Sequence, residues 1–351
     1  MKTVIVPFFI SHQGCPHQCI FCDQKTITGS SGALPAPAEL LAAVRTWRRT
    51  SRAESVEVAF YGGSFTLLPR QQQQGLLEPL QPLLQSGEVS SIRISTRPDA
   101  VDSATVRFLR GSGVSLVELG VQSMDDRVLE SAGRGHTAQD TIDAFASLRA
   151  EGIRAGAQLM PGLPGESARG AIASFRKLLS LRPDLLRIYP AVVLQGTELA
   201  GMYQQGSYRP LPLEEAVAIC KVMLQDAGLA GIPVIRVGLQ PTAELSSGAE
   251  VIAGPYHPAF RQLAQGERWF DLLQLLTGEF SPGAELTLYT SRAELSDVAG
   301  QKRRNIIRLE QLSRFSVAAV HADDSLSAGT LRITAPGHSV HGDMLRDLNY
   351  Q

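Results

Sequence analysis

Val4-Ile5-Val6-Pro7-Phe8-Phe9-Ile10-Ser11-His12-Gln13-Gly14-Cys15-Pro16-His17-Gln18-Cys19-Ile20-Phe21-Cys22 is an apolar run that leads straight into three of the chain's four cysteines. The run has the length of one buried strand. The cysteines follow in a C-x3-C-x2-C array on the connection that leaves it. Three thiols this close cannot all pair with one another, and a cubane iron-sulfur cluster takes three of its corners from such a loop while one iron stays open. A zinc site with His12 or His17 as fourth ligand is the other chemistry the triplet allows. Structural zinc sites usually join two separated ligand pairs, and no second pair exists here.

Further apolar or alternating runs recur at 56–61, 92–95, 115–121, 155–160, 185–189 and 234–238. Amphipathic segments lie between them, one marked by Leu40, Leu41, Val44 and Trp47, another by Val217, Cys220, Met223 and Leu224. Strands alternating with helices predict right-handed parallel βαβ units, and so a doubly wound sheet or a full or partial barrel. Function in such folds collects at the C-terminal ends of strands. The cysteine loop follows the first run, Gly62-Gly63-Ser64 the second, Arg97-Pro98-Asp99 the third and Gly162-Leu163-Pro164-Gly165 the fifth. The connection from Ser11 to Pro37 is long for a βα loop, and long loops are usually functional. After Gln240-Pro241-Thr242 the repeat stops, which divides the chain into a core at 1–240 and a small α+β extension at 241–351. In the extension 285–289, 315–320 and 330–333 read as strands and 301–312 as a helix, while Gln71 to Gln74 reads as a solvated helix face.

With 44% apolar and 19% charged residues the chain can bury a large core, and its formal charge of -1 supplies no global field toward nucleic acid or an anionic membrane. The first ten residues do not make a signal peptide, and no stretch approaches the ~18 apolar residues of a membrane span. Clustered cysteines without an export signal point to a reducing compartment, hence a cytoplasmic protein with a metal or redox role.

Cys15-Pro16-His17-Gln18-Cys19-Ile20-Phe21-Cys22, with an aromatic residue before the last cysteine, resembles the cluster loop of the radical SAM enzymes. The resemblance implies a partial (β/α)6 TIM-like barrel, a [4Fe-4S] cluster on Cys15, Cys19 and Cys22, and S-adenosylmethionine chelated at the open iron. One-electron cleavage of the cofactor then yields a 5'-deoxyadenosyl radical that abstracts hydrogen, and a flavodoxin- or ferredoxin-type electron donor is implied with it. Carried over residue by residue, Phe21 and the Gly62-Gly63-Ser64 turn border the cofactor, the turn meeting its methionine amino group. Gln122, in Glu118-Leu119-Gly120-Val121-Gln122-Ser123, and Arg134, in Arg134-Gly135-His136-Thr137, contact it as well. Gln158 stands where related enzymes place a ribose-contacting acid.

Within the superfamily the chain is similar to the Elongator catalytic subunit and its shorter bacterial relatives, through Ser95-Thr96-Arg97-Pro98-Asp99, Arg187-Ile188-Tyr189-Pro190 and Gln195-Gly196-Thr197. This resemblance implies tRNA or another RNA as substrate. A small metabolite is the rival substrate, and a non-catalytic iron-sulfur or metal-binding scaffold the rival class. Ser95 replaces a glutamate common in that branch, and no acetyltransferase segment is recognisable, so acetyl transfer is not implied. Tyr256 and His257, in Gly254-Pro255-Tyr256-His257-Pro258, are candidates for a proton donor or hydrogen-atom relay, or else form a simple turn. Lys302-Arg303-Arg304 hints at an RNA phosphate, although a solvated charge run explains it as well. Cys220 reads as a core thiol, and His338, His341 and Asp343 as surface residues.

Overall fold

The computed structural model describes residues 3–16, 19–23, 33–240, 250–313 and 315–350; His17, Pro241 and Thr242 lie outside them. The chain forms two compact units, Met1–Pro212 with Ile232–Tyr256, and Leu213–Gly231 with His257–Gln351.

The first unit is built on strands β1 (Thr3–Phe9), β2 (Ser55–Tyr61), β3 (Ser91–Thr96), β4 (Val114–Gln122), β5 (Arg154–Leu159) and β6 (Leu185–Ile188), then β7 (Val193–Leu194), β8 (Val234–Val237) and β9 (Val251–Ala253). Seven of them pair in the order β1-β2-β3-β4-β5-β6-β8, every pair parallel. Strand order that follows chain order, with no reversal, is the winding of a barrel rather than of a doubly wound sheet. β1 and β8 are not paired to each other, so the barrel is partial. It has one strand more than the six expected, because β8 adds to β6. β7 and β9 form a separate antiparallel pair.

Helices Pro37–Thr50, Arg70–Leu77, Ser103–Gly111, Ala138–Ala150 and Ala168–Ser180 lie in the crossovers between consecutive strands. Three of them start on capping residues: Asp102, Thr137 and Ser167 accept from the backbone N–H of Thr105, Asp140 and Gly170. In Pro37–Thr50 Leu40 and Val44 are buried but Trp47 is exposed, so the apolar stripe is shorter than its sequence suggests. Gln71, Gln72 and Gln74 are exposed, as expected of a solvated glutamine face, and Gln73 is the exception. It is buried, and its Nε2 donates to Thr66 O and Leu68 O at 3.0 and 2.7 Å.

Alternation along the strands separates two faces. Val58, Phe60, Ile92, Ile94, Val117, Leu119, Leu186 and Ile188 are buried apolar residues on one. On the other, the pairings Ala59 with Arg93, Ser95 with Glu118, Gly120 with Gln158 and Gln158 with Arg187 bring charged and polar groups together.

In the second unit helices Leu213–Leu229 and Phe260–Thr277 accompany a four-stranded sheet of order β11-β10-β12-β13, from β10 (Glu285–Thr290), β11 (Ser316–Ala322), β12 (Thr330–Ala335) and β13 (His338–Asp343). Trp269, Leu272, Leu273, Leu286, Leu288, Leu331 and Ile333 form its core. Cys220 is fully buried and its thiol is pushed up by burial. The expected helix at 301–312 begins at Arg304 instead, because Lys302 and Arg303 hold left-handed backbone (φ 52° and 61°). His338 and His341 are exposed on β13, where a spacing of three puts them on opposite faces.

Candidate functional site

The cysteine loop continues the β1–β2 pairing past the end of the sheet. Ile10 N donates to Tyr61 O, His12 N to Gly62 O and Ser64 N to Gln13 O, at 2.8, 3.0 and 2.9 Å. The two loops are in backbone contact. A Cβ at Gly63 would lie 2.5 Å from both Gln13 O and Ile10 O, and one at Gly14 (φ 71°) 2.4 Å from Ser64 O. Only glycine fits such an approach. Cys15 Sγ sits 3.4 Å from Ser64 Oγ.

Farther along the loop Cys22 N donates to Cys19 O, Ile20 N donates to Ala132 O, and Ile20 O accepts from Leu199 N. Phe21 is buried in an apolar cluster with Val128, Ala132, Leu163, Val193 and Leu199. Burial pushes the Cys22 thiol up to about 12, with the neighbouring Cys19 and Cys15 adding to the effect.

Arg134 comes from the turn after helix Asp126–Ser131. Its Nη1 donates to Cys19 Sγ at 3.1 Å and its Nη2 to Gly120 O at 2.5 Å, while its buried Nε has no partner. The backbone oxygen of Arg134 accepts from Arg97, which is locked to Asp99 by two 3.0 Å bonds. Gln122 ends β4 at a bulge with left-handed backbone (φ 65°), a conformation uncommon for a non-glycine residue and concentrated at functional sites. Its Oε1 lies 3.4 Å from Gln158 Nε2. Gln122, Gln158, Arg134, Cys19 and the Gly62-Gly63-Ser64 turn are thus all gathered at the C-terminal ends of the strands.

Three features of this region were not singled out from the sequence. Inside the sheet, Glu118 accepts from Arg93 Nη1 at 3.0 Å, from Arg187 Nε at 2.5 Å and from Tyr61 OH at 3.2 Å, and Arg93 also pairs with Glu57. Burial alone would raise the Glu118 carboxyl, but Arg187 and Arg93 outweigh it and hold the group below its usual range. Charged residues inside otherwise apolar strand runs were the available signal. The second feature is Glu166, which receives Gly162 N at 2.9 Å and Ser123 Oγ at 3.2 Å, and which burial raises to about 7. The third is His136, whose Nε2 lies 3.2 Å from Val121 O and whose Nδ1 is buried without a partner. Burial, then Arg134 and Arg97, lower it to about 4.

Of the relay candidates, Tyr256 packs against the Val192 and Leu194 cluster with its hydroxyl buried and unpartnered. His257 Nδ1 accepts from Ala259 N at 3.1 Å, a turn-forming contact.

Among the described residues no three or more His, Cys, Asp or Glu side chains are gathered into a metal-holding set. The chemistry of the donor set nonetheless suits an iron-sulfur cluster. Cys15, Cys19 and Cys22 are free thiols on one loop, close enough to act on each other's ionisation, and Arg134 supplies a cation beside them.

A partial parallel βα barrel with a three-thiol loop at its first strand end defines a class of cofactor-dependent barrel enzymes. The profile described as "Radical SAM superfamily" matches residues 9–178 and that described as "Radical_SAM C-terminal domain" residues 183–269. The chain belongs to the radical SAM superfamily, and its role is that of an enzyme. It is 29% identical over 257 residues to a tRNA uridine(34) acetyltransferase of Methanocaldococcus jannaschii, covering 62% of this chain and 48% of that protein. It is 30% identical over 189 residues to human Elongator complex protein 3, covering 47% of this chain and 34% of that one. The chain spans about half the length of the acetyltransferases it matches. A solved structure of Methanocaldococcus infernus Elp3 lacking residues 1–46 superposes with a TM-score of 0.61 at 21% identity, over 78% of this chain and 64% of that one, and shares its fold. No helix among the described residues is long and apolar enough to cross a membrane.

Proposed function

We propose that the chain holds a [4Fe-4S] cluster on Cys15, Cys19 and Cys22, binds S-adenosylmethionine at the strand ends beside it, and modifies an RNA, with tRNA the first choice. The bound pair would supply reductive cleavage of S-adenosylmethionine and abstraction of a hydrogen from the substrate. The observation that carries the reading is the junction of Arg134 with Cys19 and Gly120, which ties the thiol loop to the end of β4.

The chain's own residues have separable tasks. The Gly62-Gly63-Ser64 turn, sewn to the cysteine loop, keeps backbone polar groups at a fixed distance from the thiols. Arg134 places a guanidinium where thiolate charge collects and where a carboxylate can be gripped bidentately. Gln122, turned by its bulge, and Gln158 offer amides to the cofactor's polar groups, and Phe21 shields the thiols on its apolar side. Tyr256 and His257 are secondary candidates for a proton or hydrogen-atom relay. A flavodoxin- or ferredoxin-type protein would deliver the electron. The RNA assignment draws on relatives whose names specify tRNA uridine(34).

Anaerobic reconstitution should give a brown protein with about four irons per chain, and, with a reductant, S-adenosylmethionine should yield 5'-deoxyadenosine that the Cys19→Ala variant does not form. A colourless zinc-loaded product would refute the cluster. Absence of tRNA binding at low salt would shift the substrate to a small metabolite.

A further inference from the structure

At the N-terminal end of β5, the end away from Gln158, a cavity of about 340 Å³ is lined by Arg149, Arg154 and Arg182, with Asp184 the one acid in its wall. The three arginines come from different elements: the last turn of helix Ala138–Ala150, the first residue of β5, and the turn after helix Ala168–Ser180. All three are exposed. Arg149 is braced, its Nη2 donating to Leu181 O at 2.7 Å. Asp184 is occupied, its Oδ2 accepting from Ala155 N at 2.8 Å. Glu151, beside the cavity in sequence, pairs instead with Arg110 at 3.5 Å. Arg154 and Arg182 have no ion pair among the described residues.

Three cations against one carboxylate repel one another, and an anion relieves that repulsion. A guanidinium offers a planar fork that matches phosphate. A chain of net charge -1 attracts a polyanion only through such a local concentration. We propose that Arg149, Arg154 and Arg182 form a phosphate-binding pocket that grips the backbone of an RNA substrate away from the reacting base. The inference rests on the RNA reading above. The pocket lies one strand length from the site, six residues or roughly 20 Å, a distance an RNA backbone covers in a few nucleotides.

The test is filter binding of labelled tRNA to the reconstituted protein across a KCl series, with 5'-deoxyadenosine yield measured in parallel. Arg154→Gln/Arg182→Gln removes two charges that make no bond to the fold. It should lower the slope of log affinity against log salt by roughly two, about one per arginine, and weaken low-salt binding about tenfold or more. Its 5'-deoxyadenosine yield should match that of the unaltered protein. Arg45→Gln/Arg49→Gln, an equal charge loss on the exposed face of helix Pro37–Thr50, should leave the slope in place. An unchanged slope in the Arg154/Arg182 variant, or an equal loss in the control, overturns the pocket while the RNA reading stands. If the unaltered protein retains no tRNA at the lowest salt, the RNA reading fails and the RNA partner with it. A further arm compares inorganic phosphate with chloride at matched ionic strength. If phosphate raises the melting temperature of the unaltered protein but not of the variant, and tRNA slopes are equal, a small phosphate is the ligand and the RNA assignment is overturned.

Discussion

Replacing Gly63 by alanine tests whether the seam between the cysteine loop and the glycine turn sets the site. The new Cβ would sit 2.5 Å from two backbone oxygens, Gln13 O and Ile10 O, where ordinary contact begins at 3.4 Å. The loops must therefore part by about 0.9 Å, the difference between those distances, and neither obstacle is a side chain that can swing away. Overpacking of this kind costs about 1–3 kcal/mol. At about 2–4 °C per kcal/mol for a unit of this size, the melting temperature should fall by roughly 2–12 °C. The chemical effect should be larger, since a misplacement of ~1 Å costs on the order of a hundredfold in rate. Gly75 is the matched control: it lies in helix Arg70–Leu77 with nothing within 4 Å of its would-be Cβ, and Gly75→Ala should stabilise by about 0.5–1 kcal/mol. The assay is a melting curve together with iron content and 5'-deoxyadenosine yield of both variants. A Gly63→Ala protein that melts, loads iron and cleaves S-adenosylmethionine like its parent would refute the reasoning.

Glu118→Gln leaves buried Arg93 with Glu57 alone and half-buried Arg187 beside a neutral amide, and urea denaturation should show a loss of about 3–5 kcal/mol. Because Glu118's folded pKa is lowered, its stabilisation is present above its unfolded value and is lost as pH falls through the folded one; acid titration of the variant should lack that component. Glu166 has the opposite sign. Raised from 4.5 to about 7, it favours the fold when protonated, so stability should decline as pH rises between those values, and Glu166→Gln should flatten that slope in melts across pH.

The parallel strands were legible because a strand covered by helices must keep that face apolar, and Val58 with Phe60, Ile92 with Ile94 and Val117 with Leu119 do so. Helix Phe260–Thr277 was not read. Its buried residues, including Gly266, Arg268, Trp269, Leu272 and Leu273, run most of the way round it, which erases the one-sided stripe that marks a surface helix. The left-handed step at Lys302 and Arg303 had no signal in residue type, since lysine and arginine are ordinary helix residues. The cysteines announced themselves by spacing. The proximity of Arg134 to Cys19 did not, because it joins residues 115 apart through the fold. His338 and His341 show the converse: a spacing that suits two ligands on a helix separates them on a strand.

The interior chain of charges has a consequence for how this sequence can change over time. Glu57, Arg93, Glu118 and Arg187 sit on four different strands, and the two central members are each shared by two partners. Substituting Arg93 strands Glu57 and substituting Glu118 strands Arg187, so an apolar or rewired interior is reached only through weakened intermediates or simultaneous replacements. Surface loops around the same barrel can drift one residue at a time. The lining of the barrel must instead be inherited as a block, and a lineage that acquires it is held to it.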